Sequence, residues 1–303
     1  MFIRPFFFTA ALLLLCVNIV LATDSAAPEI SAADIAVLQK ADAARRSADF
    51  KEAYALYKTL TDQGNARAET QIGLMYRMGE LGRQDNAQAM AHFRQAATAG
   101  DGIAQFTLGL AFQKGNNGAQ KDDAEAARWF ALALGSLQRA AERQDAEAQR
   151  TLAMMYRDGL GVAKDEAQSK QWLHQAAENG DPLAQTLWGT LLAKETGAED
   201  IQPAIHWLQK AAEQNSVTAQ DMLAHTQAML GNQQEAEKWH QRAFALNEKA
   251  AKQGKIIAQF RLGIAYRDGK GIPADADKAR DWLAKAAAQG NDSAQKALQE
   301  LKP

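Results

Sequence analysis

Along most of the chain, apolar positions recur at the three- and four-residue spacing of a helix that buries one face. The pattern is clearest from Asp145 to Gly180. There Ala148, Leu152, Ala153 and Tyr156 make one apolar face, Gly159 and Gly161 interrupt it, and Ser169, Trp172, Leu173, Ala176 and Ala177 make a second. Asp145 and Asp165 stand where an N-cap carboxylate would take the first free backbone N–H groups. The stretch therefore predicts two short helices joined by a glycine turn. Such a hairpin cannot bury both of its surfaces alone, but stacked copies can.

The copies are present. Ala-Gln or a close variant recurs at Ala68-Glu69, Ala104-Gln105, Ala148-Gln149, Ala184-Gln185, Ala219-Gln220, Ala258-Gln259 and Ala294-Gln295. A second-helix row follows at His92-Phe93, Trp129-Phe130, Trp172-Leu173, Trp207-Leu208, Trp239-His240 and Trp282-Leu283. Seven positions before each of these stands Asp85, Asp122, Asp165, Asp200, Asn232 or Asp275, with Asp49 in a leading half-repeat, all N-cap types. The junctions Gly64-Asn65, Gly100-Asp101, Gly180-Asp181, Asn215-Ser216 and Gly290-Asn291 pair a helix stop with a helix start. Gln144 departs as a stop and Lys255 as a start.

Row spacings are 37, 43, 35, 32 and 43 residues. The two long intervals predict a second helix lengthened by seven residues in repeats two and five, which keeps its face. The short one predicts a direct turn at Leu230-Gly231-Asn232. The segmentation is then helices over 31–64, repeats over 65–100, 101–144, 145–180, 181–215, 216–254 and 255–290, and a C-terminal cap helix over 291–303.

On these residues the chain resembles the Sel1-like repeat family, relatives of the tetratricopeptide repeat. The carrying positions are Ala148-Gln149, Leu152, Tyr156, Gly159, Gly161, Val162, Asp165, Trp172, Leu173, Ala176 and Ala177, with Ala258 to Gly290 as a second clean copy. The resemblance implies an all-α, right-handed α-solenoid of about six helix pairs that acts as an adaptor in protein complexes. In exported bacterial members it also implies work in envelope assembly, polymer export, signalling or host contact.

Residues 1–22 hold Arg4, an apolar run from Phe6 to Ile19, and Val20-Leu21-Ala22 before Thr23. This reads as a secretory signal peptide whose apolar run is short for a membrane span, followed by a disordered leader over 23–30. Cys16 is the only cysteine and goes with the leader, so the mature chain has no disulfide. A periplasmic or secreted location is expected.

A formal net charge of −2 gives no field for nucleic acid or an anionic membrane. Five histidines never take metal-ligand spacing, no Gly-x-Ser-x-Gly elbow or phosphate loop occurs, and the carboxylates fall at caps and solvated faces. No catalytic residue, metal or cofactor is expected. The aromatic rows are assigned to the core. Arg77, Arg157 and Arg267 follow the tyrosine position, with Gln113 between them, and read either as partners of helix C-terminal carbonyls or as a basic row on the inner surface. With Met154 and Met155 as apolar neighbours they are the candidate contacts for a protein or peptide partner. The runner-up reading is a carbohydrate- or peptidoglycan-binding accessory of polymer export or a host-interaction factor.

Overall fold

A computed structural model describes residues 31–196 and 200–301; the expected signal peptide, leader segment and Cys16 lie outside the described residues. The described residues form fifteen α-helices and no strand. A leading pair, α1 (Ala32–Arg46) and α2 (Phe50–Thr61), is followed by pair 1, α3 (Ala66–Arg77) and α4 (Asn86–Thr98). Pair 2 is α5 (Gly102–Lys114) and α6 (Asp123–Glu142), and pair 3 is α7 (Ala146–Asp158) and α8 (Glu166–Glu178). Pair 4 is α9 (Pro182–Thr196) and α10 (Gln202–Glu213), pair 5 is α11 (Val217–Met229) and α12 (Gln233–Lys252), and pair 6 is α13 (Ile256–Asp268) and α14 (Ala276–Ala288). Helix α15 (Asp292–Glu300) covers the end of the stack. Each helix packs on its neighbours in chain order, which makes the stack an all-α solenoid.

The recurring residues have identifiable jobs. The carboxylates of Asp85, Asp122, Asp165 and Asp275 accept from the first turns of the second helices, as the spacing predicts. Asp49 and Asn232 occupy cap positions without capping through their side chains. The cap of α10 is Ile201 rather than Asp200, because pair 4 lacks the glycine loop that sets the register elsewhere. Gln144 and Asn215 take the left-handed backbone that glycine supplies at other junctions, with φ of 64° and 65°.

The glutamine of the Ala-Gln pair closes the joint between repeats. Gln105, Gln149, Gln185 and Gln220 donate their amides to the carbonyls of Ala97, Ala141, Ala177 and Ala212, at 3.0 to 3.1 Å. Each adds a second hydrogen bond to a last-turn carbonyl of the preceding second helix, which already accepts from the backbone N–H of Gly100, Gln144, Gly180 or Asn215. In pairs 3, 4 and 6 the amide oxygen is satisfied in turn by Asn179, Gln214 and Gln289, the C-cap residues of α8, α10 and α14. Helices α6 and α12 are 20 residues long, as the row spacing predicts, so their C-cap residues lie two turns further on. Among the described residues, Gln105 Oε1 and Gln220 Oε1 are consequently buried without a partner.

Close approach within a pair depends on small residues. A Cβ at Gly109 would lie 2.6 Å from the Phe130 ring, and one at Gly263 2.7 Å from Leu283. Phe93, Phe130, Leu208 and Leu283, four of the six second members of the row, are buried, and Leu173 and His240 are half-buried. The tryptophans before them, Trp239 excepted, are only half-buried and pack on the rim of the core. Lys210, Arg242 and Lys285, one turn on, lie over the rings of Trp207, Trp239 and Trp282 at 4.0 to 4.7 Å.

The stack coils back on itself. Asn215 donates to Ser47 Oγ, Gln253 to the Ala48 carbonyl and Lys255 to the Gly79 carbonyl, across sequence separations of 168, 205 and 176 residues. Lys249 pairs with Asp49 at 2.6 Å, Lys255 lies over the Phe50 ring, and Ala250 joins the cluster formed by the leading pair. The loop edge of the first pairs thus meets the junction edge of pairs 5 and 6 along a seam, after one superhelical turn. Lys255 stands at the start of α13 without capping it, since an ammonium has no acceptor for the free N–H groups; its side chain spans the seam instead, and the lengthened α12 brings Lys249 and Gln253 there.

Candidate interaction surface

First helices touch one another along the stack: Arg67 on α3 binds Glu147 on α7, across an intervening pair, and α5 packs on α7 of the next pair. The first helices therefore lie on the inner radius and the second helices outside. On each first helix the residue before the Ala-Gln alanine, and those four, seven and eleven positions after it, share one stripe. Arg67–Glu147, Gln71–Glu147, Arg261–Thr218 and Thr190–Met222 all join such positions, which identifies the stripe as the inward face. None of its positions carries Phe, Tyr or Trp. Its first column reads Arg67, Ile103, Glu147, Leu183, Thr218 and Ile257.

In pairs 1 to 3 the stripe is closed by an ion network. Arg67 binds Glu147 and faces Asp145 at 3.7 Å and Asp101 at 3.9 Å. Arg150 bridges Glu147 at 3.2 Å and Asp181 at 3.1 Å. Gln71 donates to Glu147 and accepts from Arg45, whose guanidinium also grips Glu80 at 2.6 Å. Thr70 donates to Asp101, and Tyr57 to Asp42.

Burial alone would raise the Glu147 carboxyl, but Arg67, Arg150, Arg45 and Gln71 together hold it below the ordinary glutamate range. Burial outweighs the same kind of help at Asp101 and Asp181 and pushes both upward, despite Arg67 at one and Arg150 at the other. Asp42 is raised by burial in spite of its Tyr57 hydrogen bond.

In pairs 4 to 6 the same columns are open. Leu183, Ile257 and Met229 are 47 %, 51 % and 75 % exposed, and Leu187, Met222 and Ile264 are half-buried. Lys194 and His225 on this face form no ion pair among the described residues. Arg261 holds only the Thr218 hydroxyl, with Asp221 as its nearby acid.

The predicted contact residues fall beside this stripe. Met155 is fully buried in the core and is corrected from surface contact to packing residue; one residue of helix rotates it about 100° from Met154, which lies half-buried on the stripe. Arg157 makes a two-pronged pair with Asp158 at 2.8 and 2.7 Å, and Arg267 one with Asp268. Arg77 lies 5.6 Å from the Phe93 ring centre, its basicity lowered by burial and by Arg45. Gln113 is half-buried. The arginines thus sit one residue off the stripe, each served locally by an acid or a ring rather than by helix carbonyls. His92 packs, as expected, stacking on Tyr76 with Nδ1 2.7 Å from Glu69. No three His, Cys, Asp or Glu side chains among the described residues could hold a metal, and no described helix is long and apolar enough to cross a membrane.

The residues missed by sequence reasoning, the Arg67 network and the Leu183–Met229–Ile257 face, fall on one column pattern. Reading down the position before each Ala-Gln alanine would have found their first members.

The Sel1 repeat profile matches six times, at residues 66–101, 102–134, 146–181, 182–216, 219–255 and 256–291. The uncharacterized protein NMB1327 of Neisseria meningitidis serogroup B is 29% identical over 75% of this chain and 52% of its own length. Chitin synthase regulatory factor 3 of Schizosaccharomyces pombe is 26% identical over 83% of this chain and 27% of its own. The chain therefore spans about half of the first relative and about a quarter of the second. A crystal structure of a Sel1 repeat protein from Oxalobacter formigenes is 27% identical, with a TM-score of 0.45, covering 83% of this chain and 99% of that one.

Proposed function

The chain belongs to the Sel1 repeat family, whose members act as protein-interaction scaffolds, and from that premise we propose that it is a non-enzymatic adaptor of the bacterial cell envelope. It is exported by its leader and holds a protein or peptide on the inner surface of its solenoid. The observation that carries the reading is the inward stripe, where large apolar side chains stand exposed on a preformed surface in pairs 4 to 6. The lack of aromatic rings on the stripe favours a polypeptide over a glycan, since sugar recognition draws on open ring faces and the tryptophans here pack on the outer layer's core. The apolar leader at 1–22 supports the envelope setting.

Photo-crosslinking in native cells tests this, with a photoreactive residue at Met78, Leu110, Leu183, Met229 or Ile257 on the stripe and at Leu132 on the outer layer. Adducts with another protein from stripe positions, in an envelope fraction, are expected. Adducts from Leu132 alone would overturn the inner-surface reading, and recovery of the chain with its leader intact in the cytosol would overturn the envelope setting.

A further inference from the structure

The two halves of the inward stripe are not equivalent. In pairs 1 to 3 the polar members at the centre of the stripe are used up: Arg67, Gln71 and Glu147 bind one another, and Thr107 and Thr151 are buried, so that exposure is left to Met78, Lys114 and the Arg157-paired Asp158 at its C-terminal margin. A partner entering there would have to break buried ion pairs, leaving charges without compensation. In pairs 4 to 6 no such network spans the stripe, and large apolar side chains meet solvent.

We infer that the inner face of pairs 4 to 6 alone is the docking site, and that its occupant is an amphipathic segment of another protein, with apolar side chains at one-turn spacing flanked by carboxylates. This rests on the inner-surface reading above and narrows it. The apolar half of the match comes from Leu183, Met222, Met229 and Ile257. The charge half comes from what is left unpaired. Lys194 and His225 have no acid within ion-pair distance among the described residues, and Arg261 reaches only a hydroxyl. The acids nearby are taken: Asp268 by Arg267 and Lys270, and Glu195 by Lys170. Asp221, half-buried beside Arg261, is the exception, and burial raises its carboxyl toward the neutral form. A bound carboxylate therefore meets Lys194 and Arg261, with Asp221 as the one acid on this face that competes for them, whereas a bound ammonium meets repulsion from both. Three first helices at roughly 8–10 Å spacing span roughly 25 Å, the length of about 17 helical residues.

The test uses the full chain and two synthetic amphipathic peptides of about 18 residues. They have identical leucine positions, flanked by glutamate in one and by lysine in the other. Titration by fluorescence anisotropy at low salt should show the glutamate peptide binding at least about tenfold tighter than the lysine peptide. The double variant Leu183→Asp, Ile257→Asp should lose that binding, with helical content checked by circular dichroism, while Leu132→Asp on the outer layer keeps it. Equal affinity for the two peptides overturns the charge assignment. Binding lost in Leu132→Asp and kept in the double variant overturns the site. In the crosslinking experiment, adducts with another protein from Met78 and Leu110 only would overturn this inference and leave the inner-surface reading intact. Adducts between two copies of the chain from Leu183 or Ile257 would show a second copy as the occupant and overturn it too.

Discussion

Arg67 and Thr218 stand at the same position of their helices, one residue before the alanine of Ala68-Glu69 and of Ala219-Gln220, and their surroundings are opposite. Arg67 lies among Asp101, Asp145 and Glu147, its side chain only 15 % exposed, and ties α3 to α7 across an intervening pair. Thr218 is exposed and meets one guanidinium, that of Arg261. The backbone frame is shared, since Ala68, Glu69 and Ile72 on α3 are buried at the positions that Ala219, Gln220 and Leu223 hold on α11. What differs is the use of a column that the frame leaves free. Pairs 1 to 3 spend it on cohesion, and pairs 4 to 6 leave it exposed. In a solenoid the packing positions and the recognition positions are separable, so one half can harden while the other stays available.

The contrast can be broken most forcibly at Arg67. Arg67→Met strands Glu147 and Asp101 in a buried site and should cost about 3–5 kcal/mol. Thr218→Ala at the equivalent place should stay within about 0.5 kcal/mol; urea unfolding of both variants checks the pair. Glu147→Gln keeps hydrogen-bonding capacity and should cost about 2–3 kcal/mol at neutral pH. Its pH dependence sharpens the point. Because the Glu147 carboxyl is held below its unfolded range, its contribution is complete above about pH 4.3 and is lost as pH falls through the lowered folded value. The difference in melting temperature between the native chain and Glu147→Gln should therefore narrow in acid, and a constant gap down to pH 3 would contradict the network's charge state.

Packing comes next. Gly109→Ala drives a methyl into the Phe130 ring and should cost about 1–2 kcal/mol, whereas Ala224→Gly, at the equivalent place in pair 5, should cost about 1 kcal/mol through helix propensity alone. Lys255→Met removes one hydrogen bond and one ring contact at the seam. A loss of about 1 kcal/mol is expected, with faster amide exchange confined to the α1–α2 turn, the α3–α4 loop around Gly79 and the α12–α13 junction. Arg157→Ala should change stability by less than about 0.5 kcal/mol, because its pair with Asp158 is exposed.

The helix pairs, the glycine turns and the two lengthened helices were legible because each rests on local residue types repeated in register. The candidate surface was legible only to within one residue. Met154 and Met155 are neighbours in sequence, yet one lies on the inward stripe and the other in the core. The arginine row missed the stripe by the same step, and the aspartate directly after Arg157 and Arg267 was the sign that their charge was already answered. Asp200 looked like a cap by spacing, but a count of seven fails where the preceding loop has changed. The tryptophans read as core are mostly rim, since helical spacing reports the facing side of a residue and not its depth. The seam left no local pattern, because it depends on rotation accumulated over five pairs. Its one trace was the wrong residue type at Lys255, where every other junction of the stack offers a capping side chain.

That seam has a consequence for how such a chain can evolve. Tandem arrays usually gain and lose whole units with little penalty, since each unit answers only to the next. Here, deletion or duplication of one unit between α3 and α12 would carry Asn215, Gln253 and Lys255 a full step around the coil, away from Ser47, Ala48 and Gly79. The first turn therefore counts its own members, and selection on a handful of side chains at its two edges is enough to hold the copy number fixed.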